Sequence, residues 1–128
     1  MPGADKAANR LHASINRKES VVIYGDYAAD GITSTAILLR FFTECTSFRP
    51  SWRLPDRRAD HYGLDVASAK SIVANHKPLL LICVDSGTNS AEAASWLRSQ
   101  GVDTVVVDHH PVSTLAAESV AIVNPKAH

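Results

Sequence analysis

Apolar and polar residues follow two different rhythms along this chain, and the rhythms take turns. Short, nearly continuous apolar runs rich in branched residues occur at Val21-Val22-Ile23-Tyr24, Leu79-Leu80-Leu81-Ile82-Cys83-Val84, 102–107 and Val120-Ala121-Ile122-Val123. Runs of that length and composition predict strands covered on both faces, as in a parallel sheet flanked by helices. Between them, apolar residues recur at spacings of three and four, the period of a helix with one buried face. Ala7, Ala8, Leu11 and Ile15 predict a helix over 4–16. Ile32, Ala36, Leu39 and Phe42 predict another over 32–45, with Thr33 or Ser34 as its cap. Ala69, Ile72 and Val73 predict a third over 66–75, capped by Asp65. Ala93, Ala94, Trp96 and Leu97 predict a fourth, opened by Asn89 or Ser90 and ended near Gly101.

Two stretches are less regular. Residues 48–54 read as a short strand that Pro50 delays or confines to an edge, because proline has no N–H to give a ladder. Residues 55–64 read as a polar surface loop, and 111–118 as a loop or short helix. The alternation of helix and strand predicts an open, mainly parallel, Rossmann-like α/β sheet with helices on both faces. A length of 128 residues suits one domain. The chain ends at Asn124-Pro125-Lys126-Ala127-His128, directly after a strand. The expectation is therefore the N-terminal part of a larger domain, with its remainder and a second domain lying beyond.

Composition narrows the class. An apolar share of 45% and a charged share of 20% are ordinary for a folded soluble protein and argue against extended disorder. Thirteen basic residues balance thirteen acidic ones, so no global positive field draws in nucleic acid. Arg53, Arg57 and Arg58 form a local basic group that reads equally well as a solvated loop or as a phosphate contact. Cys45 and Cys83 stand in apolar surroundings and read as buried free thiols, which suits a reducing, cytoplasmic compartment. No run reaches the ~18 apolar residues that span a bilayer.

Candidate chemistry gathers where strands end. The first strand delivers Asp26 and Asp30, flanked by Gly25 and Gly31, whose freedom of backbone angle suits a tight loop. The third delivers Asp85, and the next delivers Asp108-His109-His110. Taken singly each has a plain reading, since an Asp after a strand is most often a helix cap or turn residue, Asp30 above all. Together they place several carboxylates at one edge of a sheet, where their mutual repulsion calls for a cation. Hard oxygen ligands with one or two imidazoles suit Mn2+ or Mg2+ better than zinc–thiolate chemistry. No Gly-x-Gly-x-x-Gly follows the first strand, which disfavours a dinucleotide site.

Tyr24-Gly25-Asp26-Tyr27-Ala28-Ala29-Asp30-Gly31, Leu54-Pro55-Asp56-Arg57, Tyr62-Gly63-Leu64, Val84-Asp85-Ser86-Gly87 and Asp108-His109-His110 occur in this order over nearly the whole chain. The series resembles the successive motifs of the DHH phosphoesterase superfamily, and most closely its RecJ-like branch of single-stranded-DNA exonucleases. The resemblance implies a two-metal Mn2+ or Mg2+ site, phosphodiester hydrolysis from the 5′ end and single-stranded DNA as partner. It implies that Asp30, Asp85 and His109 are metal ligands, Asp85 bridging two ions, with Asp26 supporting the first. Asp108 is implied to orient the histidine loop and His110 to face the scissile phosphate. The turn Ser86-Gly87-Thr88-Asn89 and Arg57 are implied to meet phosphate oxygens.

Three departures from that pattern stand out. Ala28 replaces an Asp that in the family ligates the first metal, and a methyl group coordinates nothing, so the first site is expected to be disabled and activity impaired. His61 stands where the family usually has Gly. A further ligand Asp and the far wall of the nucleic-acid groove are expected beyond residue 128. Two other functions fit the same motifs: cleavage of short oligonucleotides or cyclic dinucleotides, and a catalytically dead nucleic-acid-binding scaffold.

Overall fold

The computed structural model describes residues 1–55 and 63–127. Its elements in chain order are α1 (Ala4–Asn16), β1 (Val21–Tyr24), α2 (Ala29–Cys45), β2 (Ser51–Arg53), α3 (Val66–His76), β3 (Leu80–Val84), α4 (Ala91–Ser99), β4 (Asp103–Val107) and β5 (Ala121–Val123). The five strands form one sheet in the order β2-β1-β3-β4-β5, and every neighbouring pair is parallel. This is the predicted open α/β sheet, with β2 short and at the edge and its start pushed past Pro50.

Successive strand residues point to opposite faces, and each face has its own core. Val22, Tyr24, Leu81, Cys83 and Val106 pack with Leu64, Ala69 and Ile72 of the α3 region and with Ala93 and Leu97 of α4. Val21, Ile23, Leu80, Ile82, Val84 and Val105 pack on the other side with Ala7 of α1 and Phe42 of α2. β1 and β3 are buried along their whole length, as continuous apolar runs require. Arg10 pins α1 to the sheet's far end, its guanidinium meeting Glu19 at 2.6 Å and Asp103 at 2.8 Å.

Several local expectations are corrected. α2 begins at Ala29, three residues before the predicted start, so Thr33 and Ser34 lie inside it and Ala28 occupies the capping position without a side-chain bond. Its buried face is Gly31, Thr35 and Phe42, while Ile32 is 48% exposed. The early start forces this rotation, because Gly31 must back onto the β1 loop. In α1, Ala8 is exposed, and Ser14 is buried with its hydroxyl donating to the Leu11 carbonyl. Asp65 does cap α3, accepting from the Ser68 amide at 2.7 Å. Ser90 opens α4 but does not cap it; its hydroxyl accepts from the Leu64 amide instead. Cys83 is buried as expected, whereas Cys45 is exposed at the end of α2. The connection from β4 to β5 contains no helix.

Candidate metal centre and adjoining cleft

Register alone lines up the candidate residues. Tyr24 pairs with Cys83, Val84 with Val107, and Val107 with Val123. Continuing these pairings past the strands sets Asp26, Asp85, Asp108 and Asn124 in one row at the carboxyl edge. The first ladder bonds beyond the strands agree: the Asp85 amide donates to the Val107 carbonyl, and the Asp108 amide to the Val123 carbonyl, both at 2.9 Å. The chain leaves β1 towards β2 on one side and lies against β3 on the other. Such a switch point, at the carboxyl ends of the strands, is where open α/β sheets form their ligand crevices.

The glycines around Asp26 answer a shortage of space. A Cβ on Gly31 would lie 2.3 Å from the Asp26 carbonyl oxygen, and one on Gly25 would lie 2.2 Å from the Thr35 hydroxyl. Neither glycine has positive φ, so the expected need for unusual backbone angles is replaced by a need for close approach. This contact seats the first turn of α2 on the β1 loop and carries Asp30 to the edge of the cluster. Among the candidate ligands Asp85 adopts left-handed backbone, at φ 58°. Such a conformation costs a non-glycine residue roughly 1–3 kcal/mol and is held by its surroundings.

The tightest group consists of Asp85, Asp108, His109 and His110, with one potential ligand atom from each lying within 4.8 Å of all the others. His109 Nε2 is 2.7 Å from Asp85 Oδ1 and 3.9 Å from Asp30 Oδ2. Adjacent ligands of a small octahedral cation, with bonds of ~2.1 Å, sit about 3 Å apart. Asp85 and His109 therefore need little adjustment to share an ion, with Asp30 approaching from the exposed side. Asp26 is 1% exposed; its Oδ1 accepts the Tyr27 amide, while Oδ2 has no hydrogen-bond partner among the described residues. A buried carboxylate oxygen left without a partner is costly, and a nearby cation removes that cost. The donor set fits a hard divalent ion.

Asp108 organises the histidine loop. Its Oδ1 accepts from the His109 amide at 2.8 Å, the His110 amide at 3.3 Å and His110 Nδ1 at 2.6 Å, while Oδ2 faces the Thr88 amide at 3.3 Å. Burial by itself pushes this carboxyl up. Hydrogen bonds from the Thr88 hydroxyl, the His110 ring and the two backbone amides outweigh burial and hold it below the usual carboxylate range.

Two clefts meet at Asp108. One, of about 330 Å³, is lined by Asp30, Thr33, Ser34, Asp85, Val107, Asp108 and His109. The other, of about 300 Å³, is lined by Gly63, Ser86, Gly87, Asn89, Ser90, Asp108, His110 and Pro111. In the second, Ser86 is buried and its hydroxyl has no partner among the described residues, so it can receive a polar ligand atom. Gly87 turns the chain at φ 104°. Thr88 and Asn89 are engaged elsewhere. Thr88 faces Asp108, and the Asn89 side chain holds the following loop through the Pro111 carbonyl and the Ser113 and Thr114 amides.

Arg53 lies against Ser71 at 2.7 Å. Arg57, Arg58 and His61 lie outside the described residues. Asn124 went unnoticed in the pattern of strand ends, although it is the residue β5 delivers at the level of Asp108. Its position immediately after an apolar run was the available signal.

The fold and site together define an α/β domain with a carboxylate–imidazole cluster at a sheet switch point. The model of the DHH family, N-terminal domain, matches residues 20–128, and the chain belongs to that family. The single-stranded-DNA-specific exonuclease RecJ of Bacillus subtilis is 33% identical over 126 residues, covering 98% of this chain and 16% of that protein. The Escherichia coli protein of the same name is 32% identical over 126 residues, covering 98% and 22%. A crystal structure of exonuclease RecJ bound to manganese superposes with a TM-score of 0.86 at 26% identity, over 98% of this chain and 31% of the other. The chain thus spans about a fifth of these curated relatives (16% and 22%). No helix among the described residues is long and apolar enough to cross a membrane.

Proposed function

We propose that this chain carries the metal-binding strand ends of a phosphodiester-hydrolysing site that acts on single-stranded DNA from the 5′ end. The observation that carries the reading is the row of Asp26, Asp85 and Asp108 at the switch point, with His109 between Asp85 and Asp30. The relatives named for single-stranded-DNA exonuclease activity and the manganese-bound neighbour support the substrate class and the ion.

Asp30, Asp85 and His109 would hold the second of two divalent cations, Asp85 would reach both, and Asp26 would support the first. When bound, such ions neutralise charge on the phosphodiester and ease deprotonation of an attacking water. The remaining residues prepare the substrate. Ser86 offers a buried hydroxyl to a phosphate oxygen, and the Ser86-Gly87 turn brings backbone close to the same cleft. Asp108 holds His110 against that cleft through its ring nitrogen. Arg57 belongs to this proposal as a phosphate contact. The cytoplasm is the compartment proposed.

Ala28 favours an impaired form of the activity. At the first residue before α2 its side chain offers no oxygen. The test is hydrolysis of 5′-labelled single strands with manganese. The reading predicts little or no turnover by this chain, together with manganese binding that depends on Asp85. Robust turnover would contradict the assigned importance of Ala28, and the absence of any manganese binding would contradict the site itself.

A further inference from the structure

The loop that follows the histidine pair has little of its own to hold it. Residues 111–114 are exposed, belong to no helix or strand, and make no backbone–backbone hydrogen bond among the described residues. Ordering such a segment costs conformational entropy that contacts must offset. One side chain supplies them. Asn89 Nδ2 donates to the Pro111 carbonyl at 2.9 Å, and Oδ1 accepts from the Ser113 amide at 2.7 Å and the Thr114 amide at 3.2 Å.

These partners are selective. A carbonyl only accepts and a backbone amide only donates, so position 89 must offer a donor and an acceptor from one planar group. An aspartate there would turn an oxygen towards the Pro111 carbonyl, and an alanine would leave all three groups to water. Asn89 is itself exposed, so burial does not dictate its place.

The clamp spans a cleft. Ser86 and Gly87, in the turn that Asn89 ends, line one side of the cavity of about 300 Å³, and His110 and Pro111 line the other. The Ala116 amide, donating to the Thr88 carbonyl at 2.7 Å, fixes the far end of the loop on the same turn. From Pro111 to Thr114 the fastening is the Asn89 side chain. The unpartnered Ser86 hydroxyl lines the cavity that this fastening closes.

We propose that Asn89 is a positioning residue that fastens the loop after the histidine pair to the Ser86 turn, so that the cleft is shaped for a phosphate of the single strand before the strand arrives. The proposal rests on the reading of that cleft as a phosphate subsite. Asn89 acts through Pro111 and the loop, and its side chain belongs to the ligand set of neither cation.

Hydrogen exchange, followed by NMR on the metal-free chain, tests the clamp without a ligand. Asn89→Ala should speed exchange of the Ser113 and Thr114 amides about 10-fold or more, while the Asp85 amide, bonded to the Val107 carbonyl, stays at its parent rate. Anisotropy of a fluorescent short strand of thymidylates, titrated in manganese, reads the cleft. A loop that is closed only about a tenth of the time lowers apparent affinity about 10-fold. Asn89→Ala should do this with manganese affinity unchanged. Ser113→Pro removes one clamped amide from the other side and should act in the same direction, without adding to the effect of Asn89→Ala. Ser113→Ala keeps that amide and should match the parent.

Unchanged exchange in Asn89→Ala, or a loosened loop with unaltered strand affinity, would overturn the proposal. An equal loss of manganese and strand affinity would overturn it too, because the effect would then not be confined to the cleft. A parent that binds manganese but no strand would contradict the phosphate reading of the cleft, and the exchange rates would still decide whether Asn89 holds the loop.

Discussion

Replacing Gly31 with alanine separates helix propensity from close packing, because the two effects have opposite signs. Gly31 lies in the first turn of α2, where alanine should stabilise by about 1 kcal/mol if the helix were free. The new Cβ would instead stand 2.3 Å from the Asp26 carbonyl oxygen, 2.5 Å from its nitrogen and 2.6 Å from its carbonyl carbon. All three are backbone atoms, so no side chain can rotate away, and the helix must retreat by roughly 1 Å from the β1 loop. Forced overpacking costs about 1–3 kcal/mol, and a contact with rigid backbone belongs at the upper end. The net expectation is a loss of about 2 kcal/mol. Urea unfolding followed by circular dichroism measures it; at a slope of ~1–3 kcal/mol per molar the midpoint should fall by about 1 M. Manganese affinity should fall as well, because Asp26 and Asp30 flank the contact. A variant stabilised by about 1 kcal/mol with unchanged metal affinity would refute the packing argument.

Ala28→Asp should have two separable effects. A carboxylate at the capping position accepts amides of the first turn and adds about 1 kcal/mol of stability without metal, and manganese affinity should rise at least 10-fold by titration calorimetry. A gain in stability alone would show that the position is a cap and no more. Thiol reactivity and alkaline stability test the core beneath the site. Burial pushes the Tyr24 phenol and the Cys83 thiol up to about 12. The folded form therefore keeps both protons at a pH where the unfolded chain has lost them. Stability is intact below pH 9.0, the ordinary thiol value, and declines as pH rises through about 12. Urea midpoints across that range check the sign, and a flat profile would contradict it. In the same native protein a thiol reagent should modify Cys45 rapidly and Cys83 only on unfolding.

Much of this was legible in the chain because each signal was local. The apolar runs at 21–24 and 79–84 announce buried strands, and Asp85 and Asp108-His109-His110 follow such runs directly. Asp65 and its helix were equally plain, since the capping bond spans three residues. What could not be read depended on contacts across the fold. The start of α2 follows from Gly31 resting against Asp26, a steric fact invisible to the periodicity, which placed Leu39 and Phe42 on the core side as found but also Ile32 and Ala36, which are exposed. Cys45 closes α2 and is exposed there, although its sequence neighbours are apolar. Asn124 follows an apolar run as Asp85 and Asp108 do, but its contacts with Thr88 and the His110 carbonyl appear only when the register of β4 and β5 sets it at the level of Asp108. Thr88 and Asn89 resembled a phosphate-binding turn, yet the Thr88 amide faces Asp108 and its hydroxyl faces Asn124, while the Asn89 side chain holds the 111–114 loop.

The most direct test is manganese binding to the chain beside its Asp85→Asn variant, followed by calorimetry and by the electron paramagnetic resonance of the free ion. Asparagine tolerates the left-handed backbone that Asp85 adopts, so the variant should fold while losing one charged ligand. The account predicts saturable binding by the parent, with affinity reduced at least 10-fold in the variant. Equal binding by both proteins, or none by the parent, would contradict it.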